Sequence, residues 1–209
     1  MLLVFLVVTV FVLPPFVSGG TSLLTLLFEA SFTLVLLSGL TAVTRTRTIF
    51  AGGSAIVLVT IAGRWLERVV PGAGLETFNV AMSILSVLLL CGLVARQVFR
   101  GGPITVHRII GAVAVYLLLG IAWGFTYYLI ATLDPGAFSI SSSSPTNVVA
   151  HSEFLYFSFI TLTTVGFGDI TAIHPVARSL VMLEALTGQL FPAILIARLV
   201  SLELVARQH

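Results

Sequence analysis

The stretch Tyr156-Phe157-Ser158-Phe159-Ile160-Thr161-Leu162-Thr163-Thr164-Val165-Gly166-Phe167-Gly168-Asp169 decides how this chain is read. Its first half is apolar and aromatic; its second half carries two glycines one residue apart and closes on an acid. Glycine takes positive φ without strain, so this spacing permits a backbone whose handedness alternates from residue to residue. Alternation lets consecutive carbonyls face one side. A ring of such carbonyls replaces the hydration shell of a dehydrating cation when several strands present them to one axis. One strand cannot encircle an ion, and only one such loop occurs, so four copies of the chain are expected to converge. A membrane turn capped by Asp169 is the bland alternative, which a bare Gly-x-Gly would have favoured.

The surroundings of the loop are those of a membrane protein. Of 209 residues 58% are hydrophobic and 9% charged, and the mean hydropathy is +1.15. Such a chain lacks the charged surface of a soluble domain. Its ten basic residues are all Arg, scattered rather than clustered, so nucleic acid is not an expected partner. A single Cys91 supplies neither a disulfide nor a metal cluster. A hydrocarbon layer of about 30 Å takes roughly 20 apolar residues in helix. Six stretches approach that length, at about 2–17, 22–43, 48–70, 76–99, 106–132 and 174–202. The expected class is an all-α membrane protein of six spans. Between the fifth and sixth, a polar loop leads to a helix at about 149–163, whose length of about 22 Å is too short to cross. Residues 1–100 read as a peripheral four-helix domain and 101–209 as a second domain built round the loop, with outer helix about 106–132 and inner helix about 174–202.

Orientation follows from the arginines. With the loop at 133–150 outside, Arg45, Arg47, Arg96, Arg100, Arg108, Arg198 and Arg207 fall on the cytoplasmic side and Arg64, Arg68 and Arg178 outside. Both termini are then cytoplasmic, in a plasma (inner) membrane. Residues 2–17 also resemble a cleaved signal, with Val17-Ser18-Gly19-Gly20 near the cut, but no positive charge precedes them. A retained span is the favoured reading. Seven residues after Leu202 leave no expected room for a cytoplasmic ligand-binding module.

The run from Tyr156 to Asp169 closely resembles the pore helix and selectivity filter of potassium channels. Phe167, where most members carry Tyr, is a form also found in two-pore-domain channels. The resemblance covers about residues 104–202. It implies a homotetramer in membrane lipid that passes K+ and needs no other cofactor. The filter would be Thr164, Val165, Gly166, Phe167 and Gly168, with K+ at the carbonyls and the Thr164 hydroxyl at the inner end. Val165 and Phe167 would point outward against the pore helix, and Tyr156, Thr163 and Asp169 would support the filter. Phe167 lacks the hydroxyl that ties most filters to the pore helix. Ile160 replaces a buried acid of some bacterial relatives. Tyr156 stands where relatives carry an aromatic donor, so a Tyr156–Asp169 hydrogen bond is expected.

On the inner helix Gly188 lies nineteen residues after Asp169, the spacing of a hinge glycine in related channels; close helix packing is the equal alternative. Pro192 removes a backbone donor and is a second point of bending. Gln189, Pro192 and Ile196 would line the cavity below the filter. Glu184 is an ionisable residue in a span and therefore a functional candidate. It could hydrogen-bond behind the filter, shape the cation potential in the pore, or sit protonated in a packing role.

Six spans match voltage-gated channels in number, but the fourth holds no basic residue before Arg96. Each gating charge is worth about 2.3 kcal/mol per 100 mV, so strong voltage gating is not expected. Glu29 and Arg64 sit at similar depth in neighbouring spans and are expected to pair. The rival readings are a non-selective cation channel and, further off, a secondary transporter, whose inverted repeats are not visible here. An enzyme is weaker still, because His107, His151, His174 and His209 form no metal-spaced set.

Overall fold

The structure, a computed structural model, describes residues 2–12, 22–42, 47–69, 75–99, 105–141 and 151–207. The Pro14-Pro15 interruption, the cut site near Val17, the linker from Arg100 to Pro103 and the tip of the polar loop lie outside these residues. The described chain is mostly helical. Helix α1 (Leu2–Val7) continues as one wider π turn at Val8–Val12, and α2 (Ser22–Ala42), α3 (Arg47–Val69) and α4 (Glu76–Val98) follow. Then come α5 (Val106–Leu133), strand β1 (Phe138–Ile140), the short α6 (His151–Leu162), β2 (Ile170–Ala172) and α7 (Pro175–Arg207).

Among the described residues three helices are long and apolar enough to cross a membrane: Glu76–Val98, Val106–Leu133 and Pro175–Arg198. The apolar runs Leu2–Val12 and Glu29–Gly39 are shorter. Helix α6, at 12 residues, is about 18 Å long, too short to cross a hydrocarbon layer of about 30 Å.

Helix α4 joins the two halves. Asn79, Ser83 and Ser86 are buried at helical spacing on the side toward α3, where the Thr60 and Ser86 hydroxyls lie 2.7 Å apart and the Asn79 amide donates to the Gly63 carbonyl at 3.1 Å. Small polar side chains suit helix contacts in a membrane, because they allow close approach and find partners on the facing helix. Val87, Cys91 and Val94 join Val115, Leu118 and Ile121 of α5 in one core. Helix α1 closes onto this core: Leu6 and Val10 are buried, Thr9 lies 3.1 Å from Ser31 of α2, and Phe11 meets Phe159 of α6 with ring centroids 5.9 Å apart. At the other end of the bundle, Arg198 of α7 donates to the Phe99 carbonyl and lies over its ring, 5.3 Å from the centroid.

A second core holds the loop in place. Phe154 and Phe157 of α6 meet Phe138 of β1 edge to face, at 5.0 and 5.7 Å, and Tyr127 of α5 meets Phe157 at 5.2 Å. Phe138 is carried by the two-stranded antiparallel ribbon, in which it pairs with Ala172 and Ile140 with Ile170. The ribbon was not expected from the sequence, where this region read as loop. Three residues per strand are too few for alternation to register. It ties the end of the Thr163–Asp169 loop to the end of α5, since the Ala137 carbonyl accepts from Ile173 at 2.8 Å and the Ser141 amide donates to the Asp169 carbonyl at 2.8 Å.

Candidate functional site

The loop from Thr163 to Asp169 leaves the carboxy end of α6 and runs to β2. Its φ angles are positive at Thr164 (59°), Gly166 (55°) and Gly168 (81°). The two glycines were expected there; Thr164 was not. It is the one non-glycine residue at positive φ among the described residues, and a β-branched residue in that region is strained. Its amide donates to the Thr161 carbonyl at 2.9 Å, and its hydroxyl accepts from Gln189 Nε2 at 2.9 Å. The amides of Val165 and Gly166 both donate to the Ile160 carbonyl, at 2.8 and 3.1 Å. The inner half of the loop thus hangs by its N–H groups from the last turn of α6. Thr163 follows the helix, its hydroxyl 2.7 Å from the Phe159 carbonyl.

Val165 and Phe167 are 54% and 71% exposed. The packing against the pore helix expected of them is therefore not made within one chain. A groove of about 490 Å³ opens instead beside the loop, lined by Phe157, Ile160 and Thr161 of α6, by Gly166 and Gly168, and by Met182 of α7. Asp169 Oδ1 is buried without a hydrogen-bond partner among the described residues. The Tyr156 hydroxyl lies close enough to the Asp169 carboxylate for the acid to hold the phenol pKa above its ordinary value. Replacing Tyr156 by Phe removes this contact to the acid. The expected result is faster loss of current during sustained conduction with normal assembly, read by bilayer recording. Unchanged current decay would mean that the contact carries no load.

Glu184, Gly188 and Gln189 lie along α7 where it passes α6. Glu184 is fully buried behind α6, away from the loop's open face. Its Oε2 accepts from the Tyr127 hydroxyl at 2.6 Å, and its Oε1 lies 2.5 Å from Ser158 Oγ, which is 2.7 Å from the Gly120 carbonyl. One residue of α7 thus engages both α5 and α6. Its partners are a hydroxyl of α5 and a hydroxyl of α6. At Gly188 a Cβ would stand 1.8 Å from the Leu162 carbonyl oxygen, so the glycine marks a close crossing of α7 over the end of α6. The same carbonyl accepts from the Tyr116 hydroxyl at 3.2 Å. Pro192 sits inside α7, where it cannot donate to the carbonyl of Gly188 four residues earlier. Ile196 is 61% exposed, one turn further on.

Glu29 of α2 and Arg64 of α3 are brought together. Arg64 Nε and Nη2 meet the two carboxylate oxygens of Glu29 at 2.6 and 2.5 Å, and Nη1 donates to Ser83 at 3.1 Å. The guanidinium also lies 4.7 Å from the ring centroid of Phe32 and 5.7 Å from that of Phe125. Tyr127, Ser158, Tyr116 and the carbonyls of Gly120 and Leu162 were not picked out from the sequence. A lone acid in an apolar helix announces that it needs partners, but the chain has too many hydroxyls to say which. Among the described residues no set of three His, Cys, Asp or Glu side chains is placed to hold a metal ion.

Comparison with known proteins agrees with this geometry. Residues 115–203 match a protein family described as "Ion channel". The chain is 41% identical over 95 residues to "Two pore potassium channel c" of Oryza sativa subsp. japonica, a match covering 46% of this chain and 20% of that protein. It is 32% identical over 87 residues to "Protein LctB" of Bacillus caldotenax, covering 41% of this chain and 64% of that protein. The chain therefore spans a fifth of the first relative's length and under two thirds of the second's. No solved structure matches. Residues 115–203, which carry α6, the loop and most of α7, are thus similar to an ion channel domain, and the first of these relatives is a potassium channel by its name. Two of the three helices long and apolar enough to cross a membrane, Val106–Leu133 and Pro175–Arg198, fall largely within the matched residues.

Proposed function

We propose that this chain is one subunit of a homotetrameric, potassium-selective channel that conducts K+ passively across the plasma (inner) membrane. The observation that carries the reading is the alternation of positive φ at Thr164, Gly166 and Gly168, with the amides of Val165 and Gly166 held by the pore helix. Tying the N–H groups behind leaves the carbonyls of 164–168 free to face a common axis, where a ring of them replaces water around K+. K+ is the permeant ligand, and the architecture calls for no other cofactor.

Assembly into four is supported by what one chain leaves uncovered. Irregular backbone at membrane depth is tolerated only where protein buries it or water fills a cavity, yet Val165 and Phe167 stand exposed. The 490 Å³ groove and the orphaned Asp169 Oδ1 lie where a neighbour would pack. In the tetramer Gln189, Pro192 and Ile196 would line the inner cavity.

The same reading assigns six spans, with α1, α2 and α3 crossing beside the three longest helices, and places both termini in the cytoplasm. Residues 1–100 form the peripheral domain and residues 101–209 the pore domain. Within Glu76–Val98 the basic residue is Arg96, in the last turn, so no ladder of gating charges crosses the field and strong voltage gating is not part of the proposal.

Flux measurements test it. In liposomes the purified protein should take up rubidium and potassium but not sodium. Gly166→Ala should abolish uptake, since a left-handed alanine costs roughly 1–2 kcal/mol in every subunit. Sodium passing as readily as potassium would make it a non-selective cation channel, and flux untouched by Gly166→Ala would sink the filter assignment.

A further inference from the structure

Three oxygen–oxygen contacts run in series behind the pore helix. Tyr127 Oη lies 2.6 Å from Glu184 Oε2, Glu184 Oε1 lies 2.5 Å from Ser158 Oγ, and Ser158 Oγ lies 2.7 Å from the Gly120 carbonyl oxygen. Each contact of that length needs one proton between its oxygens, because two lone pairs at this distance repel. Tyr and Ser carry one hydroxyl proton each, while a carbonyl and an ionised carboxylate carry none. An ionised Glu184 therefore provides two protons for three contacts. Ser158 would have to serve either the carboxylate or the Gly120 carbonyl, leaving the other contact unfavourable in a site where Ser158 and Glu184 are both fully buried. A protonated Glu184 provides the third proton, and the chain then closes in one direction: Tyr127 donates to Oε2, Oε1–H donates to Ser158, and Ser158 donates to Gly120.

We infer that Glu184 carries a proton on Oε1 and in that neutral form is a positioning residue, whose O–H donates to Ser158 and fixes the pore helix between α5 and α7. The environment agrees. An ionised acid this deep needs a cationic partner, and Glu184's hydrogen-bond partners are the hydroxyls of Tyr127 and Ser158. Ser158 is itself fully buried, on a helix where Leu155, Phe157 and Leu162 are buried too. The consequence for the filter follows from Ile160 and Thr161, two and three residues beyond Ser158, whose carbonyls hold the amides of Thr164, Val165 and Gly166.

Glutamine is the discriminating substitution, because its amide donates to Ser158 and its carbonyl accepts from Tyr127 without any titratable proton. Infrared difference spectra of wild-type protein against Glu184→Gln, in liposomes at neutral pH, should show the C=O stretching band of a protonated carboxylic acid in the wild type alone. Ser158→Ala should shift that band, since it removes the acceptor of the acid proton. Glu184→Gln should also retain wild-type rubidium uptake, whereas Glu184→Leu should lose it. A difference spectrum with carboxylate bands only, or a band indifferent to Ser158→Ala, overturns the inference. So does loss of uptake in Glu184→Gln equal to that in Glu184→Leu. The effect on flux rests on the channel reading above; the infrared bands do not. A protonated-acid band in a protein that passes no ion would therefore count against the channel and in favour of the proton.

Discussion

Gly188→Ala is expected to destabilise the assembled protein and abolish its ion flux. The added methyl would meet the carbonyl oxygen of Leu162 at 1.8 Å and its carbonyl carbon at 2.7 Å. Both obstacles are backbone, so no rotamer change relieves the clash and α6 must move away from α7. Overpacking a tight contact costs about 1–3 kcal/mol where side chains yield, and here nothing flexible yields. The displacement falls on the last turn of α6, from which the filter hangs through Ile160 and Thr161. It also strains the bond from Tyr116 to the Leu162 carbonyl. Thermal unfolding in detergent, tetramer yield on size exclusion and rubidium uptake measure the three consequences together. A hinge role alone gives a different pattern: normal yield and melting temperature, with reduced opening. Wild-type behaviour in all three would mean that the helices do not cross this closely.

Single substitutions at Glu29 or Arg64 should each cost about 3–5 kcal/mol, because breaking a buried pair strands its other half. Arg64 is 10% exposed and Glu29 25%, so the arginine is largely shielded from water while the acid keeps partial access to it. That puts Glu29→Gln at or below the low end of the range. The contact is bidentate, with Arg64 Nε and Nη2 on the two oxygens of Glu29, the geometry in which guanidinium and carboxylate bind best. Arg64 also reaches beyond the pair. It donates to Ser83 of α4 and lies over Phe125 of α5, so its loss loosens the contacts of α3 with α4 and α5 as well. The doubly neutral protein, Glu29→Gln with Arg64→Met, should be closer to wild type than either single change would suggest. A double-mutant cycle on unfolding free energy checks this, and additive effects would show that the two residues do not depend on one another. Arg64→Met should exceed Glu29→Gln in cost, because only the arginine makes the contacts to α4 and α5.

Much of this was legible in the chain because it was carried by local chemistry. Gly166 and Gly168 are read as positive-φ positions wherever they stand, since lacking a Cβ is a property of the residue. Apolar length marks Glu76–Val98, Val106–Leu133 and Pro175–Arg198 as membrane helices without reference to neighbours. Glu29 and Arg64 announce their need for partners because a charge in a span is costly, and few opposite charges lie at the same depth. Thr164 was passed over as a strained residue because threonine carries no sign of its φ. Only its neighbours, Thr161 behind and Gln189 below, hold it there. The ribbon of Phe138–Ile140 with Ile170–Ala172 was equally silent, since pairing across thirty residues leaves no period in either strand.

The loop from Thr163 to Asp169 shows where the two kinds of information divide. By itself the sequence determined that a short helix enters a membrane, that the backbone after it can alternate in hand, and that an acid closes it. Those are properties of residue type, order and spacing. Tertiary structure alone decided that Val165 and Phe167 find no cover within one chain, and that Gly188 is a crossing point over Leu162. It also decided that Glu184 faces Tyr127 and Ser158 behind the pore helix. Each of these depends on how helices far apart in sequence rotate and cross, which no local stretch of sequence specifies. Residue identity states what a side chain needs; packing of the whole determines which neighbour supplies it.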